Sequence, residues 1–314
     1  MTSILRAQAW PVGALLLALL QPVVVQAQGD GEVNYLQLAA RLVADGHYDR
    51  AERALDQVNT EADDLDRVRY HTLLGLVELR RERHQAAIEK LRQALAAHDR
   101  RAEREPAADE SEQEQRRGER ERIHLYLAQA HMGREEYKEV LTALDRAGET
   151  GAAIATVHAL RAQAHWEREA YDAAFAALNR GAERFPDDYR FLRRKVFYLI
   201  NLGFYRQAAD YGREYLQKAD AGPEDYVAIG SALRQSDQHQ AALTLLERAR
   251  LIWPRERDIA VELAQTWLGL DKVSAAAEVF ARAAIHHPDM RLEAAELQRR
   301  AGHLYRALLL NTTV

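Results

Sequence analysis

The sequence predicts an all-α solenoid built from stacked helix hairpins, about seven of them and a partial eighth. Three observations carry this expectation. The alanines Ala174, Ala208, Ala242 and Ala276 stand 34 residues apart within a recurring pattern of small, apolar and turn residues, and a fixed period of this size is the mark of a stacked repeat architecture. The chain is rich in Ala, Leu, Arg and Glu, which lose little side-chain entropy in a helix. Few segments alternate Val, Ile or Thr with polar residues, so strands are not expected.

Residues 1–27 read as a secretory signal. Arg6 supplies a basic start, Val12 to Leu20 an apolar core, and Val25-Gln26-Ala27 a small-residue cleavage site. Pro11, Gln21 and Pro22 interrupt the apolar run and leave it short of the roughly 20 residues a membrane span needs. Cleavage near Ala27 changes the formal charge from −5 to −6, because Arg6 leaves and no acid does. The expectation is a periplasmic protein with no stable transmembrane span after cleavage. The chain has no cysteine, which rules out disulfides and thiolate chemistry, so packing alone must stabilise it. With 43 basic and 48 acidic residues, nothing calls for a nucleic-acid partner.

The repeats follow in order. Residues 32–98 hold two, with Ala39, Tyr48, Ala51 and Leu55 in the first and Gly75, Ala87, Leu91 and Ala94 in the second. The step from Ala87 to Val140 is 53 residues rather than 34, and the surplus is a charged insertion at 99–120. With Pro106, Gly118 and no large apolar residue, it is expected to be solvated and disordered, or a frayed extension of the flanking helices. Residues 121–288 hold repeats three to seven. Repeat three has Val140 where alanine is usual, and repeat five has Gly212 where a bulky residue is usual. Gly46 and Gly203 fall at hairpin turns, where positive φ costs glycine nothing. Pro186, Pro254 and Pro288 fall between hairpins, where they end a helix without loss of a needed N–H. Residues 289–314 form a partial repeat or capping segment, with Leu308, Leu309 and Leu310 giving it an apolar face.

These positions resemble the tetratricopeptide repeat family, in its exported, periplasmic form, over nearly all of residues 32–314. The resemblance implies a right-handed superhelix whose first helices (A) line a concave groove and whose second helices (B) lie outside. It implies a non-catalytic scaffold for a protein or peptide partner. Carried over position by position, the groove takes Arg122, Leu125, Gln129 and Met132 from repeat three, and Ala159, Gln163, Trp166 and Glu167 from repeat four. Repeat five adds Arg190, Arg193, Phe197 and Asn201. Repeats six and seven add Ser231, Arg234, Gln235, Val261, Gln265 and Leu268. Arginine can grip carboxylates bidentately and amides can hold backbone groups, while Trp166 and Phe197 are candidate anchors. An extended peptide in an envelope or secretion assembly is the first expectation, and an acidic polysaccharide in an export system is the alternative. The family's carboxylate clamp of Lys and Asn is absent, so chaperone tails are not implied.

No catalytic constellation is found. There is no G-x-S-x-G, H-E-x-x-H, P-loop or G-x-G-x-x-G, and no cofactor or metal is expected. His124 and His131, and again His158 and His165, stand seven apart, about 10.5 Å along a helix, too far for one pair to chelate zinc. Half-buried packing with a hydrogen bond is the expected role, as for His71 in repeat two. His286 and His287 sit at a junction and are expected in an exposed loop.

Overall fold

The computed structural model describes residues 33–312; the expected signal segment lies outside them. Among the described residues the chain is helical throughout, with no strand. Two compact units meet in sequence between Phe185 and Pro186. This division falls between repeats four and five rather than at the charged insertion.

The first unit contains α1 (Tyr35–Ala44), α2 (Tyr48–Leu55), α3 (Arg67–Arg80), α4 (His84–Arg104), α5 (Glu110–Gly133), α6 (Tyr137–Arg146), the short α7 (Gly148–Ala152), α8 (Ala155–Glu167) and α9 (Tyr171–Arg184). The second contains α10 (Arg190–Asn201), α11 (Tyr205–Lys218), α12 (Pro223–Gln235), α13 (His239–Ile252), α14 (Arg257–Gly269), α15 (Val273–Ala283), a 3₁₀ turn (Pro288–Met290), α16 (Arg291–Arg300) and α17 (Leu304–Thr312). Within each unit successive helices pair as hairpins, and each hairpin packs on the next.

One turn geometry builds the eight hairpins among the described residues. Helix A ends with a residue at positive φ: Gly46, Glu82, Glu135, Glu169, Gly203, Asp237, Asp271 and Gly302. The next residue's N–H then reaches back five positions to a carbonyl, as in His47 to Leu42, Ala170 to His165 and Lys272 to Trp267, at 2.7–3.0 Å. This double-bonded cap satisfies carbonyls that the helix end would leave bare. The sequence marks it only where glycine stands; at the other five turns Glu or Asp accepts the left-handed conformation.

The far end of three hairpins is set by proline. Phe185, Trp253 and His287, each just before a proline, have φ/ψ of −130/71, −122/73 and −126/83. The proline ring drives its predecessor out of the helical region, so helix B stops there.

Small residues decide how closely the helices cross. A Cβ built on Gly75 would lie 2.7 Å from Leu91 Cγ, and one on Gly230 2.8 Å from Leu246 Cδ2. Gly212, the odd residue of repeat five, leaves room for Ile229 from the next hairpin, which a Cβ would meet at 2.7 Å. Val140, the other departure, is fully buried.

Of the two expectations for the insertion, extension of the flanking helices is the one seen. Most of residues 99–120 continue α4 and α5, and only residues 105–109 break them. Asp109 caps α5 by accepting from Glu112 N at 2.8 Å. Glu112 in turn accepts from Ala108 N and pairs with Arg116. Across the two helices Arg101 pairs with Glu119, and His98 Nε2 lies 2.9 Å from the Arg116 carbonyl. Lack of apolar residues was a poor guide because the core-packed parts of α4 and α5 already bear the cost of nucleation, leaving only propagation. At the other end, Leu310 packs against the core of the second unit, while Leu304, Tyr305, Leu308 and Leu309 are exposed.

Candidate partner-binding face

In the second unit, α10, α12 and α14 are the A helices of three consecutive hairpins, and α12 lies against both others. Two arginines expected to reach a partner instead tie these helices together. Arg193 on α10 donates from Nε to Asp225 Oδ1 at 2.6 Å and from Nη2 to Glu224 Oε1 at 2.7 Å, both on α12. Its guanidinium lies 5.0 Å from the Phe197 ring centroid. Arg234 on α12 donates to Glu262 Oε1 at 2.6 Å and to Gln265 Oε1 at 3.2 Å, both on α14.

Asp225 is the most committed of the acids. It is 3% exposed, and besides Arg193 it accepts from Gly222 N at 3.0 Å and from Tyr215 Oη at 3.3 Å. Burial, and next the nearby Asp225 carboxylate, push the Tyr215 phenol up to about 12, so it remains a donor at any physiological pH.

The remaining candidates separate clearly. Arg190 forks onto Asp188 through Nε and Nη2 at 2.7 and 2.6 Å. Asn201 donates back to the Phe197 carbonyl at 2.8 Å. Phe197 is 5% exposed and Gln129 fully buried; neither presents itself to a partner, which corrects the expectation for both. Gln235 and Gln265 are exposed, and Val227, Ser231, Val261 and Leu268 on the same two helices are half-buried. In the first unit Arg122, Gln163 and Trp166 are half-buried. The Trp166 ring meets that of Tyr171 at a tilt of 55° with centroids 4.9 Å apart, and the short α7 packs against both α5 and α8. The second unit therefore offers the better-defined face.

The acidic halves of these links escape a search for i,i+4 pairs. Their separations are 28 to 32 residues, a few residues short of one period. The same offset recurs where Arg81 and Arg83 reach Asp49 and Glu52, and it is the signal that could have found them.

The histidines serve packing. His131 Nδ1 lies 2.6 Å from Glu136 Oε2, His158 Nε2 3.2 Å from the Ala152 carbonyl, and the His71 ring 5.2 Å from that of Tyr70. His286, at the junction before Pro288, is exposed, and His287 Nε2 lies 2.8 Å from the Arg255 carbonyl. Among the described residues no three His, Asp or Glu groups gather as metal ligands would.

His124 is 4% exposed; burial, and then Arg120 and Arg146 against a smaller opposing effect of Asp99, lower its pKa to about 4. His71 and His165 are lowered too, first by burial. A histidine whose folded pKa lies below its unfolded value binds its proton first in the unfolded chain. Stability should therefore fall as pH drops from about 6.5 towards 4. The lowered carboxylates Glu52, Glu112, Glu136 and Glu296 act in a different window, losing their contribution below about 4.5. Urea midpoints across pH 7 to 4.5 should decline in the wild type and decline less in His124→Gln. Equal slopes would show that His124 is not held neutral.

No protein-family model matches the sequence, and no curated protein matches it either. The structure is similar to solved repeat proteins. One is a tetratricopeptide repeat protein from Parabacteroides merdae, with a TM-score of 0.52 and 13% identity, covering 78% of this chain and 91% of that one. Others are PilW, described as a type IV pilus biogenesis factor (TM-score 0.46, 16% identity, 60% and 90% covered), and YrrB, described as having an unusual peptide-binding site (0.44, 16%, 54% and 88%). With the 34-residue hairpin, its glycine and alanine crossings and its repeated turn, the likeness to the Parabacteroides merdae protein identifies the chain as a protein of the tetratricopeptide repeat fold.

Proposed function

We propose that the chain is a non-catalytic scaffold that holds an extended peptide segment of a partner protein on the A-helix face formed by α10, α12 and α14. The observation that carries this reading is the internal use of Arg193 and Arg234. Because both are already paired across neighbouring helices, the face offers little free positive charge. What it does offer is apolar surface from Val227, Val261 and Leu268, the exposed amide of Gln235 and the amide N–H groups of Gln265, whose oxygen already accepts from Arg234. Amides suit the N–H and C=O groups of an extended backbone, and half-buried aliphatic side chains suit the residues between them. An acidic polysaccharide, the alternative, would need the arginines that the fold has engaged.

The exported, periplasmic setting belongs to the same proposal. The signal-like start at 1–27 and the absence of cysteine support it. Among the described residues no helix is long and apolar enough to cross a membrane. An envelope or secretion assembly is the setting in which such a scaffold would work.

Position-specific photocrosslinking in cells tests the reading. A crosslinker at Gln235 or Gln265 should trap one common partner, and at Thr244, exposed on the B helix α13, it should not. Trapping of that partner from Thr244 but from neither glutamine would overturn it. The mature N-terminus, read by mass spectrometry, tests export separately: residues 1–27 found intact would contradict it.

A further inference from the structure

The charged insertion has a consequence for the first unit. Helix α4 has 21 residues where α9, α11 and α13 have 14, and its added turns stand over the start of α3. Between them is a cleft of about 680 Å³, within the size range of small-molecule sites.

Its lining is unusual in having donors at different levels. Arg67 is fixed at the start of α3, donating to the Thr60 and Ala62 carbonyls at 2.9 and 3.5 Å. Below it, His71 Nδ1 is buried with no hydrogen-bond partner. Arg100 and Arg104, one turn apart on the added part of α4, also line the cleft. Both are exposed, and among the described residues neither is ion-paired. This contrasts with their neighbour Arg101, which is bound to Glu119 on α5. The α4 extension thus has one side locked to α5 and another carrying two unengaged guanidinium groups. After burial, the largest influences lowering the His71 pKa are Lys90, Arg100 and Arg67, which places two of the cleft's arginines close enough to the ring to act on its charge.

We infer that this cleft is a binding site for a compact polyanion, with Arg100 and Arg104 supplying the charged donors and Arg67 and His71 the back wall. Guanidinium groups recognise planar or tetrahedral oxyanions through paired hydrogen bonds, so phosphate and carboxylate groups share the required chemistry. Asp63, Asp66 and Glu105 also line the cleft. Asp66 is engaged as the cap of α3, accepting from Arg69 N at 3.0 Å. The two other acids would repel a long polyanion running through the cleft, and they limit the ligand to a small one that reaches the arginines. The site lies wholly in the first unit and does not depend on the peptide face of the second.

Titration calorimetry at constant ionic strength tests this with the full mature chain and two probes, pyrophosphate and citrate, against acetate. The wild type should bind at least one probe saturably, and the arm that binds tells a phosphate ligand from a carboxylate one. Arg100→Gln/Arg104→Gln should weaken that binding tenfold or more. Arg92→Gln, exposed elsewhere on α4, should leave it unchanged, and circular dichroism should show both variants folded. His71 ring signals in nuclear magnetic resonance spectra should shift with the bound probe. The inference is overturned if neither probe binds saturably, if the double variant binds as the wild type does, or if Arg92→Gln loses binding equally.

Discussion

Replacing Asp225 with alanine should lower the stability of the second unit by about 3–5 kcal/mol, the cost of removing one partner of a buried ion pair. The substitution removes three links at once. Arg193 loses its shorter bond, Tyr215 and Gly222 N lose their acceptor, and the bridge between α10 and α12 rests on exposed Glu224 alone. Asp225→Asn retains an oxygen acceptor but no charge, and it should lose less. Urea unfolding with hydrogen exchange on α10 to α12 measures both. Because repeat arrays can unfold in parts, the loss should be concentrated in those helices. A change under about 1 kcal/mol would place Asp225 among pairs of surface worth and would remove the structural role assigned to Arg193.

Leu91→Ala should cost about 2–5 kcal/mol, as deletion of a fully buried leucine does. Its value lies in the cycle it allows with Gly75. Alone, Gly75→Ala should cost about 1–3 kcal/mol, because its methyl would meet the Leu91 side chain at 2.7–2.8 Å. Once Leu91 is alanine, the atoms it would strike are gone. The double variant should therefore lose less than the two single losses combined, by about 1 kcal/mol or more. Additive losses would show that the α3–α4 crossing is not set by this contact. Gly230 and Leu246 offer the same cycle in the second unit.

The hairpins were legible because their constraints repeat. One small residue at each crossing and one proline after each of three B helices are weak signals singly and strong ones at a 34-residue period. The turns were half legible. Gly46 and Gly203 announced positive φ, but Glu82, Glu135, Glu169, Asp237 and Asp271 adopt it as well, because the paired cap bonds offset the strain on an L residue. For the insertion the sequence left two expectations open, a disordered loop or an extension of the flanking helices, and could not choose between them, because the stabilisation of the extension is polar and lies between helices that the linear chain separates by about 18 residues, as in Arg101 and Glu119.

The face itself was legible as positions but not as roles. Position within the repeat put Arg193 and Arg234 on the A helices correctly. Whether an arginine there meets a ligand or a neighbouring helix depends on what the next repeat presents, and no motif singles out Glu224, Asp225 and Glu262 as the acids that meet these arginines. Phe197 and Gln129 show the same limit in the other direction. A residue can hold a groove position by number and still be covered by its own neighbours.

The central claim is that a partner segment lies along α10, α12 and α14. Hydrogen–deuterium exchange of the chain, with and without a synthetic peptide covering the segment crosslinked at Gln235 or Gln265, tests it most directly. Added protection should appear in α10, α12 and α14 and persist at high salt, while α11, α13 and α15 stay unchanged. Protection confined to the B helices, or absent from α12, would contradict the account.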